Sequence, residues 1–246
     1  MAKHSSNNHN TITINEKKVS PRIKDIDKIQ PLTDNQARFF DAYQRGDYFI
    51  MLNGSAGTGK SFIAVYKALE EVLDKTNPFN RVVIVRSAVQ GRDMGFTPGS
   101  AEDKMSLYEQ PYVQICQTLF NRHDAYELLK EQRKIEFIST SFLRGCTWDD
   151  AIIIVDEMQN LSWVEISTAM TRVGYRSKIV FCGDYRQTDL NRKSNDRSGL
   201  QKFHEVAKTM PSFTNIEFTT DDIVRSSLVK EFLVAVEQYE ELVENL

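Results

Sequence analysis

Cysteine is scarce in this chain of 246 residues: there are three, Cys116, Cys146 and Cys182, odd in number and widely spaced. They match neither a disulfide framework nor a CxxC zinc pattern, and read as ordinary core thiols. Long apolar runs are missing as well. No stretch approaches the ~20 residues that span a bilayer, and the N-terminal MAKHSSNNHNTITINEKK has no apolar core of the secretory kind. These absences predict a cytoplasmic protein with no membrane partner. Neither sign of charge dominates, since 31 Lys and Arg face 34 Asp and Glu for a net −3. Nucleic-acid affinity must therefore rest on a local cluster. What is present, 41% hydrophobic and 26% charged residues, is globular and excludes wholesale disorder, collagen repeats and coiled coil.

Residues 1–20 are rich in Asn, Ser and Thr, and their longest apolar pattern is Thr11-Ile12-Thr13-Ile14. Residues 1–30 are expected to be a flexible polar tail in which His4 and His9 are solvated, and residues 31–246 a single domain. Order is expected from Pro31, with Thr33-Asp34 capping a helix over 36–43 that stops at Gly46. Short apolar runs at 48–53, 81–85, 135–139, 151–155 and 178–182 predict strands, and helical spacing predicts helices over 61–73, 107–121, 125–131, 161–172 and 200–208. The strand runs are continuous rather than alternating, so both faces are buried. That is the pattern of a parallel sheet between helices, and the fold class is α/β. Residues 87–105 hold three glycines and little periodicity, the signature of a ligand loop. Val229, Phe232, Leu233, Val236 and Tyr239 make a stripe that predicts a C-terminal helix docked on the body.

The chemistry concentrates in GSAGTGKS, residues 54–61, which fits GxxxxGK[ST] between a predicted strand and a predicted helix. In that reading Gly54, Ser55, Ala56, Gly57, Thr58 and Gly59 turn their N–H groups inward, and with the helix N-terminus they cradle a polyphosphate. Lys60 sits on the β- and γ-phosphates, and Ser61 gives an oxygen to Mg²⁺. The strand over 151–155 runs into Asp156, for the metal shell, and Glu157, to polarise the attacking water. Taken alone, two acids after a strand are equally well explained by strand-end polarity. The strand over 178–182 ends in Gly183-Asp184-Tyr185-Arg186-Gln187, where Gln187 can touch the γ-phosphate or simply belong to a Gly-Asp turn.

GSAGTGKS, DEMQ at 156–159 and GDYRQ at 183–187 resemble motifs I, II and III of superfamily 1 helicases. With RSAV at 86–89, GFTPGS at 95–100, LRGCTWDDA at 143–151, TRVGYRSK at 171–178, SGL at 198–200 and DDIVRSSLV at 221–229, the chain resembles the PhoH family of phosphate-starvation-inducible ATPases over about residues 30–230. The resemblance implies a three-layer RecA-like P-loop fold, ATP and Mg²⁺ as ligands, and single-stranded nucleic acid, RNA ahead of DNA, as partner. It assigns the adenine edge to Gln36, nucleic-acid contact to Arg86 and phosphate contact to Arg225. Met158 and Ser55 depart from the family's usual Ala and Pro without altering a liganding group. Longer members carry a nuclease domain of the PIN type, which 30 polar residues cannot contain, so no nuclease activity is expected.

A single core lacks the second RecA-like unit that supplies helicases with an arginine for the γ-phosphoryl group. A homo-oligomeric ring, hexameric by resemblance, supplies it from a neighbour, with Arg172 the first candidate and Arg225 the second. Residues 170–197 hold seven Lys and Arg against three Asp, either a strand-binding channel or a solvated charged loop. The competing functions are an ATP-gated binding module without turnover and a P-loop kinase for a small molecule.

Overall fold

The computed structural model describes residues 20–87, 101–184 and 199–244. Its centre is a six-stranded sheet of β1 (Phe49–Gly54), β2 (Arg81–Arg86), β3 (Ile135–Ser139), β4 (Ala151–Asp156), β5 (Lys178–Gly183) and β6 (Phe213–Phe218), in the order β3-β2-β4-β5-β1-β6. All pairings are parallel. The apolar runs are buried on both faces, as their continuity requires. Ile50, Leu52, Ile152 and Ile154 enter one core with α1 (Asp34–Arg45), α2 (Lys60–Leu73), α3 (Ala101–Phe120) and α4 (Ala125–Glu131). Phe49, Met51, Ile153 and Val155 enter the other, under α5 (Trp163–Met170) and α6 (Gly199–Ala207). This is the three-layer α/β arrangement of RecA-like P-loop proteins.

Parallel strands gather their carboxyl ends at one edge. The register sets Arg86 beside Asp156, Asn53 beside Gly183 and Gly54 beside Phe218, so β1, β2, β4 and β5 deliver side chains to one rim. Helix α1 begins where its cap predicts: Thr33 accepts from the Gln36 N–H at 3.3 Å, and Gly46 closes the helix in the left-handed region at φ +91.

Three features depart from expectation. Strand β6 alternates exposed Asn215 and Glu217 with buried Ile216 and Phe218; a search for continuous apolar runs passes over an edge strand of this kind. Order starts before Pro31: Ile26 joins the core, and the Asp27 N–H donates to the Leu119 carbonyl at 2.8 Å. The C-terminal helix α7 (Ser227–Glu244) is not docked along its length, with Phe232 64% and Tyr239 68% exposed. A stripe marks an apolar face but does not say what covers it. Among the described residues no helix is long and apolar enough to cross a membrane.

Candidate active site

The loop from β1 to α2 is shaped by glycine backbone at two points. Gly54 has φ +125, and a Cβ there would lie 1.8 Å from the Phe218 carbonyl oxygen of β6. Gly59, at φ +81, caps α2 in the left-handed region. The loop is strapped by the segment after β6: the Ser55 N–H donates to Phe218 O at 3.1 Å, and the Val224 N–H to Gly57 O at 3.0 Å. The Thr58 hydroxyl donates to Ser55 O at 3.0 Å. The free N–H groups of the first turn of α2 and the Lys60 ammonium thus face one cleft, the arrangement that holds phosphate. Lys60 Nζ donates to the carbonyls of Gly54 and Ser55, each at 2.8 Å. Burial draws this ammonium below the usual lysine range, opposed by carboxylates of which Asp184 is foremost.

Both acids at the end of β4 reach the same cleft. Asp156 is only 4% exposed, and each of its oxygens has a partner: Oδ1 accepts from the Ser61 hydroxyl and Oδ2 from the Tyr112 hydroxyl, both at 2.7 Å. Glu157 takes the left-handed region at φ +51, ψ +43, a conformation that costs a non-glycine residue roughly 1–3 kcal/mol and recurs at functional sites. Its carboxylate accepts from Gln159 Nε2 at 2.6 Å, and Gln159 Oε1 accepts from the Asp184 N–H at 3.2 Å. Gln159 therefore bridges the ends of β4 and β5. Burial, then the Asp156 charge, pushes Glu157 above the usual carboxylate range, with Arg86, Gln159 and Lys60 pulling it down.

The cleft encloses about 590 Å³ and is lined by Gln36, Ala56, Gly57, Thr58, Gly59, Lys60, Ser61, Asp156 and Glu157. Arg86 and Arg225 line it too. Gln36 is buried, accepting from the Leu32 N–H at 2.9 Å and donating to Thr58 O at 3.0 Å, which leaves one N–H and one lone pair for a base edge. Arg225 packs over the loop, its Cγ 3.1 Å from where a Gly57 Cβ would stand.

Arg172 lies elsewhere. Its carbonyl accepts from the Trp148 N–H at 2.9 Å, beyond the amino end of β4. The six residues of β4, at ~3.3 Å each, put roughly 20 Å between that turn and Asp156. The basic cluster over 170–197 is divided as well. Arg176 pairs with Asp150 at 2.5 Å and Lys178 with Glu71 at 2.8 Å, so both serve the amino edge of the sheet. Gln187, Arg186, Arg192, Lys193 and Arg197 fall outside the described residues. Sequence reasoning gave no role to Tyr112 or Gln159. An aromatic residue within a predicted helix carries no signal beyond core packing, while Gln159 stood in the DEMQ motif without a partner to reveal its bridge.

A sequence model of the PhoH family, described as PhoH-like protein, matches residues 28–237. The PhoH-like protein of Mycobacterium leprae is 33% identical over 216 residues, which cover 87% of this chain and 60% of that protein. The PhoH-like protein of Bacillus subtilis is 32% identical over 228 residues, covering 92% of this chain and 67% of that protein. The chain thus spans about 60% of the length of the mycobacterial relative it matches. Among solved structures, the large terminase of a thermophilic bacteriophage in complex with ADP aligns with a TM-score of 0.47 at 14% identity, over 82% of this chain and 49% of that one.

Proposed function

The chain belongs to the PhoH-like protein family, and from that premise and the geometry of its cleft we propose that it hydrolyses ATP with Mg²⁺ and acts on single-stranded nucleic acid, RNA ahead of DNA, as a ring of identical subunits, a hexamer. One observation carries the chemistry. The Lys60 ammonium, the bonded Ser61–Asp156 pair and the half-buried Glu157 carboxylate share a single cleft.

The donor set suits Mg²⁺. Ser61 gives its proton to Asp156, which leaves the lone pairs of its oxygen for a hard cation, and a carboxylate stands behind it for the water shell. When bound, Mg²⁺ would neutralise charge on the terminal phosphates. The remaining roles belong to this chain. Gln36 meets the adenine edge, and the N–H groups of residues 56–61, beyond the Ser55–Phe218 strap, hold the phosphates. Lys60 leaves its two carbonyl partners for phosphate oxygens, and the Glu157 carboxylate takes the proton of the attacking water. The Glu157–Gln159 bond extends to the Asp184 N–H, and Gln187, three residues on in sequence, would register loss of the γ-phosphate.

Arg225, whose side chain lies over its own phosphate loop, would act within its subunit. Arg172, at the opposite edge, is too far from its own subunit's cleft and would act on a neighbour's nucleotide in a head-to-tail ring. The exposed apolar side chains of α7 give such a ring a surface to bury. Arg86 lines the cleft and lowers Glu157, which favours a phosphate-side position over a backbone contact with nucleic acid. The nucleic-acid partner rests on the helicase-like motifs and on the Arg and Lys residues between 185 and 197.

Phosphate release, with and without single-stranded RNA and DNA, on material of measured solution mass, tests the whole reading. Lys60→Ala is expected to abolish turnover. Glu157→Gln is expected to lower it about 10²–10⁴-fold while nucleotide still binds. Unchanged turnover in both variants overturns the mechanism. ATP binding by the unaltered protein without turnover, even with RNA and assembled rings, would make it a gated binding module instead.

A further inference from the structure

We propose that Tyr112 is a positioning residue for the metal site, fixing the Asp156 carboxylate in the plane from which it serves Mg²⁺; this rests on the nucleotide and metal reading above. The Asp χ2 torsion is broad and nearly two-fold, so the end of β4 places the Asp156 backbone without orienting its oxygens. Two hydrogen bonds from different elements are needed to fix that plane. Ser61 supplies one from the phosphate loop and Tyr112 the other from α3, each at 2.7 Å.

The two partners are not equivalent. Ser61 is itself a prospective metal ligand, and its geometry must answer to the cation. Tyr112 is fully buried, so no water competes for its hydroxyl, and its ring is packed against Phe137 with centroids 5.8 Å apart. It is the fixed point of the pair. Its place in α3 is also set locally: the preceding residue, Pro111, lacks the N–H that would bond the Leu107 carbonyl and itself lines the cleft. Helix α3 thereby holds the metal carboxylate through one oxygen atom.

The test uses Tyr112→Phe, which deletes that atom and keeps the ring, with Phe137→Leu as the packing control. Binding of a fluorescent ADP analogue is titrated with Mg²⁺ and repeated in excess chelator, alongside thermal unfolding of each protein. Tyr112→Phe is expected to raise the Mg²⁺ midpoint about tenfold or more, the scale on which outer-shell partners act, and to leave metal-free binding unchanged. Phe137→Leu is expected to lower the unfolding temperature and leave the Mg²⁺ midpoint in place. The proposal is overturned if Tyr112→Phe keeps the normal midpoint, if it weakens binding equally with and without metal, or if Phe137→Leu moves the midpoint as far. A parent protein whose nucleotide binding ignores Mg²⁺ would overturn the metal reading itself, and the role of Tyr112 with it.

Discussion

At the amino-terminal ends of β4 and β5, charges are answered by charges. Lys178, with a side chain only 7% exposed, donates to both oxygens of Glu71 at 2.8 and 2.9 Å and lies over the Tyr43 ring. Arg176 meets Asp150, and the Tyr175 N–H donates to Asp149 at 2.6 Å. At the carboxyl edge of the sheet, three ionic groups are bonded differently. Lys60 leans on backbone carbonyls, Asp156 on two hydroxyls and Glu157 on an amide, in a strained backbone. One edge uses its polar groups for folding; in the proposed function the other keeps its own for a ligand. Substitutions should divide accordingly, amino-edge changes acting on stability and carboxyl-edge changes on turnover.

Arg172 is the sharpest exception to seek, since it sits at the stabilising edge and is assigned to catalysis in a neighbour. Among the described residues its Nε is buried without a hydrogen-bond partner. Arg172→Ala should lower phosphate release about 10³-fold or more, as loss of a supplied arginine does. Mixing it with Lys60→Ala should restore turnover, because Arg172→Ala subunits keep an intact cleft and Lys60→Ala subunits keep the arginine. Arg225→Ala mixed with Lys60→Ala should stay inactive, since both then carry damaged clefts. Rescue by Arg225→Ala and not by Arg172→Ala would exchange the two roles.

The amino edge itself is tested by Glu71→Ala, which strands the buried Lys178 ammonium. The expected cost is about 3 kcal/mol in denaturant unfolding, the low end for a broken buried pair because Glu71 is partly exposed. Turnover per folded molecule should be unaffected. A loss of turnover with stability intact would erase the distinction between the edges.

Much of this is legible in the sequence alone. Continuous β-branched runs demand burial on both faces, so β2, β4 and β5 could be read directly, and GSAGTGKS fixed the loop because few other segments need glycine, lysine and a hydroxyl in that order. The unread parts share a cause. Strand β6, the strap from Ser55 to Phe218 and Gly57 to Val224, and the Tyr112–Asp156 bond all depend on contacts between residues 44 or more apart. Local pattern carries no record of such a partner. Arg225 was reached only by family resemblance, since one arginine before a helix says nothing of the loop it covers. The exposed side of α7 marks the same limit from the other direction.

The smallest expected effect probes the strain of the carboxyl edge alone. Burial and the Asp156 charge raise the Glu157 carboxyl above its ordinary value, so the folded protein holds that proton more tightly than the unfolded chain. The stability this represents is fully present below the ordinary glutamate value and is lost as pH rises through the raised one. Glu157→Gln cannot ionise and escapes that loss. Its stability advantage over the parent should therefore be absent in acid, grow across the interval between the two values, and level off above it, as read from denaturant midpoints at a series of pH values. Turnover of the parent should rise over the same interval, because the water-activating form is the ionised one. A variant advantage that is constant with pH, or largest in acid, would mean that Glu157 is not held as an unwilling anion and that the edge assigned to ligand chemistry stores nothing for it.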